Sequence, residues 1–354
     1  MSMLFLTYQL SDHTHPLFIP EQIMNQSDRD ALIEYWLQEE LGLIPDQPIE
    51  TAAADASFRR YLRVKIGGQP YMIMDAPPEH EDIRSFIHVA KLLEAGQVHV
   101  PRIHYYDIER GLMLLEDFGT RHFLATLQED PTQAQGLYED ALIMLSRIQR
   151  CDSTSLAVYD RDMAMREMRL FDQWYLRRHL AITLSEQETK QLLHGYDLIA
   201  TTFVAQPKVF VHRDYHSRNL MHVPDRNPGV LDFQDAVHGP VTYDLVSLLR
   251  DSYIELPDSH VEAWREQYRH ICSEILSVAI TPEQFKRWFD YSAAQRHLKV
   301  LGIFARLAYR DQKRAYLQDI PLTLRNLQRA IAPWDELRPL LELIESLESR
   351  GLAA

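Results

Sequence analysis

Cysteine is nearly absent from this chain, with two in 354 residues, Cys151 and Cys272. Two thiols supply neither a disulfide framework nor a cysteine-based metal site, and the count suits a reducing cytosol. Basic residues are also in deficit: 37 Lys and Arg stand against 51 Asp and Glu, for a net charge of -14. Proteins that track a nucleic-acid backbone normally present a net basic surface, so the balance argues against nucleic acid as the main partner, though not against a nucleotide. No apolar run approaches the length that crosses a bilayer, and residues 1–10 have neither a basic flank nor a small-residue cleavage site. These absences argue against a membrane anchor and a secretory signal, and the expectation is a soluble cytoplasmic protein. No internal repeat or low-complexity tract stands out. What is present, a 46% hydrophobic content, is enough for a buried core in a two-lobed enzyme or two modest domains.

The most informative segment is Val211-His212-Arg213-Asp214-Tyr215-His216-Ser217-Arg218-Asn219-Leu220-Met221, followed by Val230-Leu231-Asp232-Phe233-Gln234. Moving a phosphoryl group from a nucleotide to a hydroxyl needs a carboxylate to orient the hydroxyl and take its proton. It also needs oxygen ligands for magnesium bridging the phosphates. Asp214 is the candidate base. Asn219 would offer a neutral carbonyl oxygen to the metal and Asp232 an anionic one, because magnesium prefers hard oxygen donors. Residues 209–211 read as a strand entering the loop, 220–223 as a strand leaving it, and 224–229 are dense in turn residues before Val230-Leu231 returns. A hairpin of that kind would bring Asp232 back beside Asn219. Any of these residues alone is more often an ordinary turn or cap residue; the combination is what carries the reading.

The rest of the chain divides around this core. Residues 1–25 show no sustained period and read as an N-terminal extension. Ser27-Asp28-Arg29-Asp30 reads as the cap of a helix carrying Leu32, Ile33, Trp36, Leu37 and Leu41 on one side, with Gly42 past its end. Residues 59–66 and 71–74 around Gly67-Gly68 read as a β-hairpin, 82–95 as a helix closed by Gly96, and 103–106 and 112–115 as two further strands. A hairpin, a helix and two strands make a small α+β lobe over 26–117. From 118 to 354 long amphipathic helices dominate, broken by the hairpin that carries the candidate site.

His212 to Asn219 is similar to the protein-kinase signature H-R-D-x-x-x-x-N, but Asp232-Phe233 is followed by Gln234 where protein kinases have glycine. At this point the chain resembles the aminoglycoside and choline phosphotransferase superfamily, whose members vary after Asp-Phe. Gly239-Pro240-Val241-Thr242-Tyr243-Asp244-Leu245 resembles that superfamily's stretch after the metal aspartate, in which the Asp, here Asp244, braces the catalytic loop. The alternative for Asp244 is a plain helix N-cap. The resemblance implies an α+β, protein-kinase-like two-lobed fold with a small antiparallel-sheet N-lobe and a large, mainly helical C-lobe. It also implies ATP and Mg2+ as cofactors. Asp117-Phe118-Gly119 spells D-F-G literally but precedes Asp214, whereas in this fold the metal aspartate follows the catalytic loop. Residues 113–117 look instead like the strand and hinge joining the lobes, where backbone groups around Leu115, Glu116 and Asp117 would pair with a nucleotide base.

Two departures sharpen the resemblance. The expected phosphate-covering loop, residues 52–60, has no glycine; the small residues Ala54, Ala56 and Ser57 would still let backbone N–H groups approach phosphate, Phe58 would lie beside them in the nucleotide site, and Arg59 and Arg60 would add charge. Where the superfamily has a lysine on the third strand, this chain has Met74. Either Arg60, Arg63 or Lys65 substitutes, or the protein is a non-catalytic nucleotide binder. Residues 55–61, 74–78, 166–171 and 212–221 together resemble one bacterial branch that also lacks this lysine, the sugar kinases of cell-wall recycling. Their reaction, by resemblance, is phosphorylation of the anomeric hydroxyl of N-acetylmuramate or N-acetylglucosamine, giving a 1-phosphate for a uridylyltransferase. Asp214 and His216 would meet the substrate, and helix 160–180 offers Arg166, Arg169, Arg177 and Arg178 interleaved with Phe171, Trp174 and Tyr175. From that helix Arg169 and Trp174 are the expected sugar contacts, an arginine matching a lactyl carboxylate and an aromatic ring a sugar face. The plain alternative is that the rings are helix core and the arginines a solvated face. An antibiotic or amino-alcohol phosphotransferase remains open as well; its cationic acceptors would call for carboxylates in the acceptor pocket.

Overall fold

The computed structural model describes residues 25–54, 58–224 and 226–351. The expected N-terminal extension, apart from its last residue, and Ser57 therefore lie outside the described residues.

The N-terminal part is built on a five-stranded antiparallel sheet. Its strands are β1 (Glu50–Ala54), β2 (Arg60–Ile66), β3 (Gln69–Asp75), β4 (Ile103–Asp107) and β5 (Leu112–Glu116), in the order β1-β2-β3-β5-β4. The β2–β3 turn is made by Gly67 and Gly68 at φ 56° and 81°, a conformation that glycine adopts without steric penalty, and both N–H groups donate to the Asp46 carboxylate at 3.1 and 2.8 Å. Part of the expected phosphate-covering loop is itself a strand. Residues 50–54 pair antiparallel with β2, which shortens the connection to 55–59.

Alternation along the strands separates two faces. Leu62, Val64, Ile73, Leu112 and Leu114 point outward and pack under Ile33, Trp36 and Leu37 of the first helical segment. That segment is α1 (Gln26–Tyr35) continued by wider π-type turns at Trp36–Glu40. Its cap is Asn25, not the expected Ser27 to Asp30: the Asn25 side chain accepts the Asp28 N–H while the Asp28 carboxylate accepts the Asn25 N–H. On the inner face Met74, Met113 and Leu115 join the main core, against α2 (Ile83–Ala95) with Phe86, Ile87, Ala90 and Leu93.

Beyond Glu116 the chain is mainly helical. It runs through α3 (Phe123–Glu129), α4 (Ala134–Ile148), α5 (Arg161–Leu170) with π-type turns at Phe171–His179, and α6 (Glu186–Val204). Four short strands follow: β6 (Lys208–Val211), β7 (Leu220–Met221), β8 (Gly229–Val230) and β9 (Val237–Pro240). The chain closes with α7 (Tyr243–Leu249), α8 (Asp258–Leu276), α9 (Pro282–Tyr309), α10 (Ile320–Ile331) and α11 (Arg338–Gly351). Strand β6 pairs with β9, and β7 with β8. Helix α9 is buried along most of its length, including polar Gln295, Arg296, His297 and Lys299, and it packs against α5, α6, α7 and α10. Burying that many polar groups is tolerable only where they meet partners. Gln295 donates to the Tyr159 hydroxyl, His297 lies within hydrogen-bond distance of the Ala293 and Arg250 carbonyls, and Lys299 meets Glu167 and the Tyr243 hydroxyl. The chain thus has the protein-kinase-like two-lobed α+β architecture that the sequence implied.

Candidate active site

The loop between β6 and β7 is held by buried acceptors. The Asp244 carboxylate accepts the backbone N–H groups of His212 at 2.6 Å and Arg213 at 2.9 Å. Helix α7 begins after Thr242, and Asp244 makes no capping bond, so bracing is what its geometry performs. Burial pushes its pKa up to about 7, opposed by the two N–H donors. A second brace, Asp251, accepts Ser217 N–H at 3.0 Å and Ser217 Oγ–H at 2.5 Å through Oδ2, and Tyr253 N–H at 2.9 Å through Oδ1. His212 is fully buried; its Nε2 bonds to the Leu231 carbonyl at 3.0 Å and its Nδ1 accepts Asp214 N–H at 3.3 Å. Burial lowers its pKa to about 4, and both bonds fit the neutral ring. Arg213 and Asp232 hold positive φ values of 80° and 63°, a strained conformation for non-glycine residues that the surrounding bonds enforce.

Asp214 projects from this loop with its side chain 37% exposed. Burial opposes its charge, but Lys299, Arg296, His216 and Arg213 outweigh that and hold the carboxylate well below its ordinary pKa. Hairpin β7–β8 returns Asp232 to Asn219, with the Asn219 amide donating to the Asp214 carbonyl at 3.0 Å and to Asp232 Oδ2 at 3.3 Å. That orientation commits the amide nitrogen and leaves the Asn219 carbonyl oxygen for a cation. Gln234, the residue that departs from Asp-Phe-Gly, donates to Asp232 Oδ1 at 2.8 Å. Among the described residues no group of three or more His, Cys, Asp or Glu side chains could hold a metal. An Asn and an Asp with no further protein ligand fit magnesium, which usually takes its remaining oxygens from phosphates and water.

Above these residues lies a cleft of about 620 Å³ between the sheet and the helical part. Its roof is the inner sheet face, Tyr61, Arg63, Met72 and Leu115; its back is Glu116 to Gly119; its floor includes Asn219, Asp232 and Phe233. The expected hinge residues Leu115, Glu116 and Asp117 therefore line it. The Asp117 carboxylate is occupied by Arg63, at 2.5 and 3.0 Å, so backbone is what this hinge presents to a base. Strand alternation corrects one expectation. Arg60 is on the outer face, paired with buried Asp75 at 2.5 Å and with Asp30 at 2.9 Å, away from the cleft. Arg59 is within 3.8 Å of Glu81, and the Phe58 ring stacks on His80 at 4.2 Å. Met74 is buried behind the cleft wall, and Met72 faces the cleft. Arg63 and Arg218 bring positive charge to it, and Arg218 lies over the Tyr253 ring at 3.7 Å.

A smaller cavity of about 60 Å³ adjoins Asp214, lined by His216, Ser252 and Tyr253 and by Arg296, Lys299, Val300, Ile303 and Phe304 of α9. Lys299 Nζ is 3.4 Å from Glu167, which also binds Arg213 at 2.6 Å. Asp214 and His216 are thus brought together, but Arg169 and Trp174 line neither cavity. Arg169 is exposed, and Trp174 is half-buried against the core. Helix rotation is the reason: Met168, Phe171 and Tyr175 face the core, and Arg166, Arg169, Arg177 and Arg178 face solvent. The plain alternative holds for Phe171 and Tyr175. Sequence reading missed Arg296, Lys299, Glu167 and Asp251. Gln295, Arg296 and Lys299 did leave a signal, since polar residues at helical spacing inside an otherwise apolar helix require buried partners.

No helix among the described residues is long and apolar enough to cross a membrane. Residues 48–279 match the phosphotransferase enzyme family. The chain is 43% identical over 320 residues to the N-acetylmuramate/N-acetylglucosamine kinase of Pseudomonas aeruginosa, covering 90% of this chain and 94% of that protein. It is 39% identical over 326 residues to the protein of the same name in Neisseria meningitidis, covering 90% and 96%. Its fold is similar to that of choline kinase LicA from Streptococcus pneumoniae, with a TM-score of 0.59 at 12% identity over 84% of this chain and 98% of that one. With Asp214, Asn219 and Asp232 brought together below the cleft, the chain belongs to the phosphotransferase enzyme family.

Proposed function

We propose that this enzyme transfers the terminal phosphoryl group of ATP to the anomeric hydroxyl of an N-acetylated amino sugar, N-acetylmuramate or N-acetylglucosamine. The observation that carries the reading is the sign of the charge beside Asp214. The acceptor cavity presents Arg296 and Lys299, and Asp214 is its one carboxylate among the described residues. Cations suit a sugar acid and oppose cationic aminoglycosides and choline. The relatives named above point the same way.

The nucleotide would enter the cleft with its base on the 115–117 backbone and its phosphates toward Asn219 and Asp232. Those two residues would hold magnesium, which neutralises phosphate charge when bound. Asp214 orients the hydroxyl and accepts its proton. A carboxylate with so low a pKa is a weak base, which is adequate because an anomeric hydroxyl is more acidic than an ordinary alcohol and positioning supplies most of the rate. The setting is cytoplasmic, with ATP at hand, and the 1-phosphate product is the form that a uridylyltransferase would take.

The test is turnover with N-acetylmuramate, N-acetylglucosamine, choline and kanamycin, with the product identified by phosphorus NMR. Formation of a sugar 1-phosphate is expected; turnover of choline or kanamycin alone refutes the reading. Asp214→Ala is expected to abolish turnover and to leave ATP binding within about threefold, whereas Asp232→Ala weakens both. Chelating magnesium stops the reaction.

A further inference from the structure

Arg296 is more deeply enclosed than its chemistry explains. Its side chain is 3% exposed, and both Nε and Nη1 are buried with no hydrogen-bond partner. Guanidinium N–H groups are obligatory donors, and burying them unpaired is unfavourable unless a ligand completes them. Asp214 does not complete them: Oδ1 is 3.8 Å from Nη1, close enough for charge attraction and too far for a hydrogen bond. Neighbouring Lys299 behaves differently, with Glu167 at 3.4 Å and the Tyr243 hydroxyl at 3.2 Å. Both residues line the cavity beside Asp214. A single oxygen about 2.8 Å from each atom would bridge the gap between Nη1 and Oδ1.

We propose that Arg296 is a catalytic residue that donates to the acceptor oxygen from which Asp214 takes the proton. The nucleophile is then held between a carboxylate and a guanidinium. As the acceptor O–H bond breaks, its proton passes to Asp214. The oxygen's electron pair forms the new O–P bond, and the bond from the terminal phosphorus to its bridging oxygen breaks, leaving ADP. Arg296 stabilises the negative charge on the acceptor oxygen during that exchange. This inference rests on phosphoryl transfer to a hydroxyl and is independent of which acceptor is used.

The experiment compares wild type with Arg296→Gln, Arg296→Lys and Arg296→Ala in steady-state kinetics, using whichever acceptor wild type turns over. Removing an oxyanion donor typically lowers kcat about 100-fold or more, and that loss is expected for Arg296→Gln, with the KM for ATP and the thermal midpoint little changed. Arg296→Lys should recover part of the rate, and millimolar guanidinium ion should restore part of the Arg296→Ala rate. Either of two results overturns the proposal: a kcat within about threefold of wild type in Arg296→Gln, or a loss that follows thermal midpoint and ATP KM without guanidinium rescue. If wild type phosphorylates only choline or kanamycin, the amino-sugar reading fails and the Arg296 comparison still decides this one.

Discussion

Replacing Asp251 by alanine tests how the catalytic loop is held. Asp251 is 1% exposed and accepts two backbone N–H groups, from Ser217 and Tyr253, and the Ser217 hydroxyl. Ser217 stands between Asp214 and Asn219, the proposed base and metal ligand, and Tyr253 lines the cavity beside Asp214. The variant strands both N–H groups, at about 1–3 kcal/mol each, while the hydroxyl can rotate to another partner. The total is about 2–6 kcal/mol, a large share of the roughly 5–15 kcal/mol that keeps a protein folded. At about 1.3 °C per kcal/mol for a chain of 354 residues, the thermal midpoint should fall by about 3–8 °C. Because displacement of a catalytic group by about 1 Å can lower a rate 100-fold, kcat should fall at least about tenfold. Calorimetry and steady-state kinetics on the same preparation measure both. A midpoint within about 2 °C of wild type together with kcat within about threefold would refute the bracing argument.

Two further outcomes follow from buried groups. His212 is neutral in the fold, its pKa lowered to about 4 by burial from 6.5. Its contribution to stability is therefore complete above pH 6.5 and is lost as pH falls toward 4, by about 3 kcal/mol. Urea unfolding of wild type and His212→Gln across that window should show wild type losing the larger amount on acidification; parallel curves would contradict the assignment. At Gly302, on α9, an added Cβ would collide with the Leu170 backbone at the end of α5. Gly302→Ala should destabilise by about 1–3 kcal/mol or more by forcing the helices apart, and an unchanged urea midpoint would show that the contact is looser than described.

What was legible in the sequence was local. Gly67-Gly68 forces a tight turn because both residues hold positive φ, and Asp214, Asn219 and Asp232 lie within one loop and hairpin, so short-range spacing brings them together. Helix 161–179 was legible as a helix and misleading as a surface, because Phe171 and Tyr175 turn into the core while the arginines between them face solvent. Arg60 was misjudged for a related reason: alternation puts it with Asp75 and Asp30 on the outer face, and residue type alone does not say which face is the cleft. Strand β1 was missed because an Ala-rich stretch has little strand preference of its own and is recruited by pairing with β2.

The sequence by itself pointed to phosphoryl transfer, since Asp214, Asn219 and Asp232 stand at the spacing that chemistry calls for. Tertiary structure alone decided what faces that chemistry. Arg296 and Lys299 come from a helix distant in sequence, and Asp251 from the segment after α7; they reach the catalytic loop because packing buries α9 against the rest of the helical part. Short-range spacing encodes which groups share a loop. The charge and shape of the cavity beside Asp214 depend on how helices are rotated and stacked, which is set by burial over the whole chain.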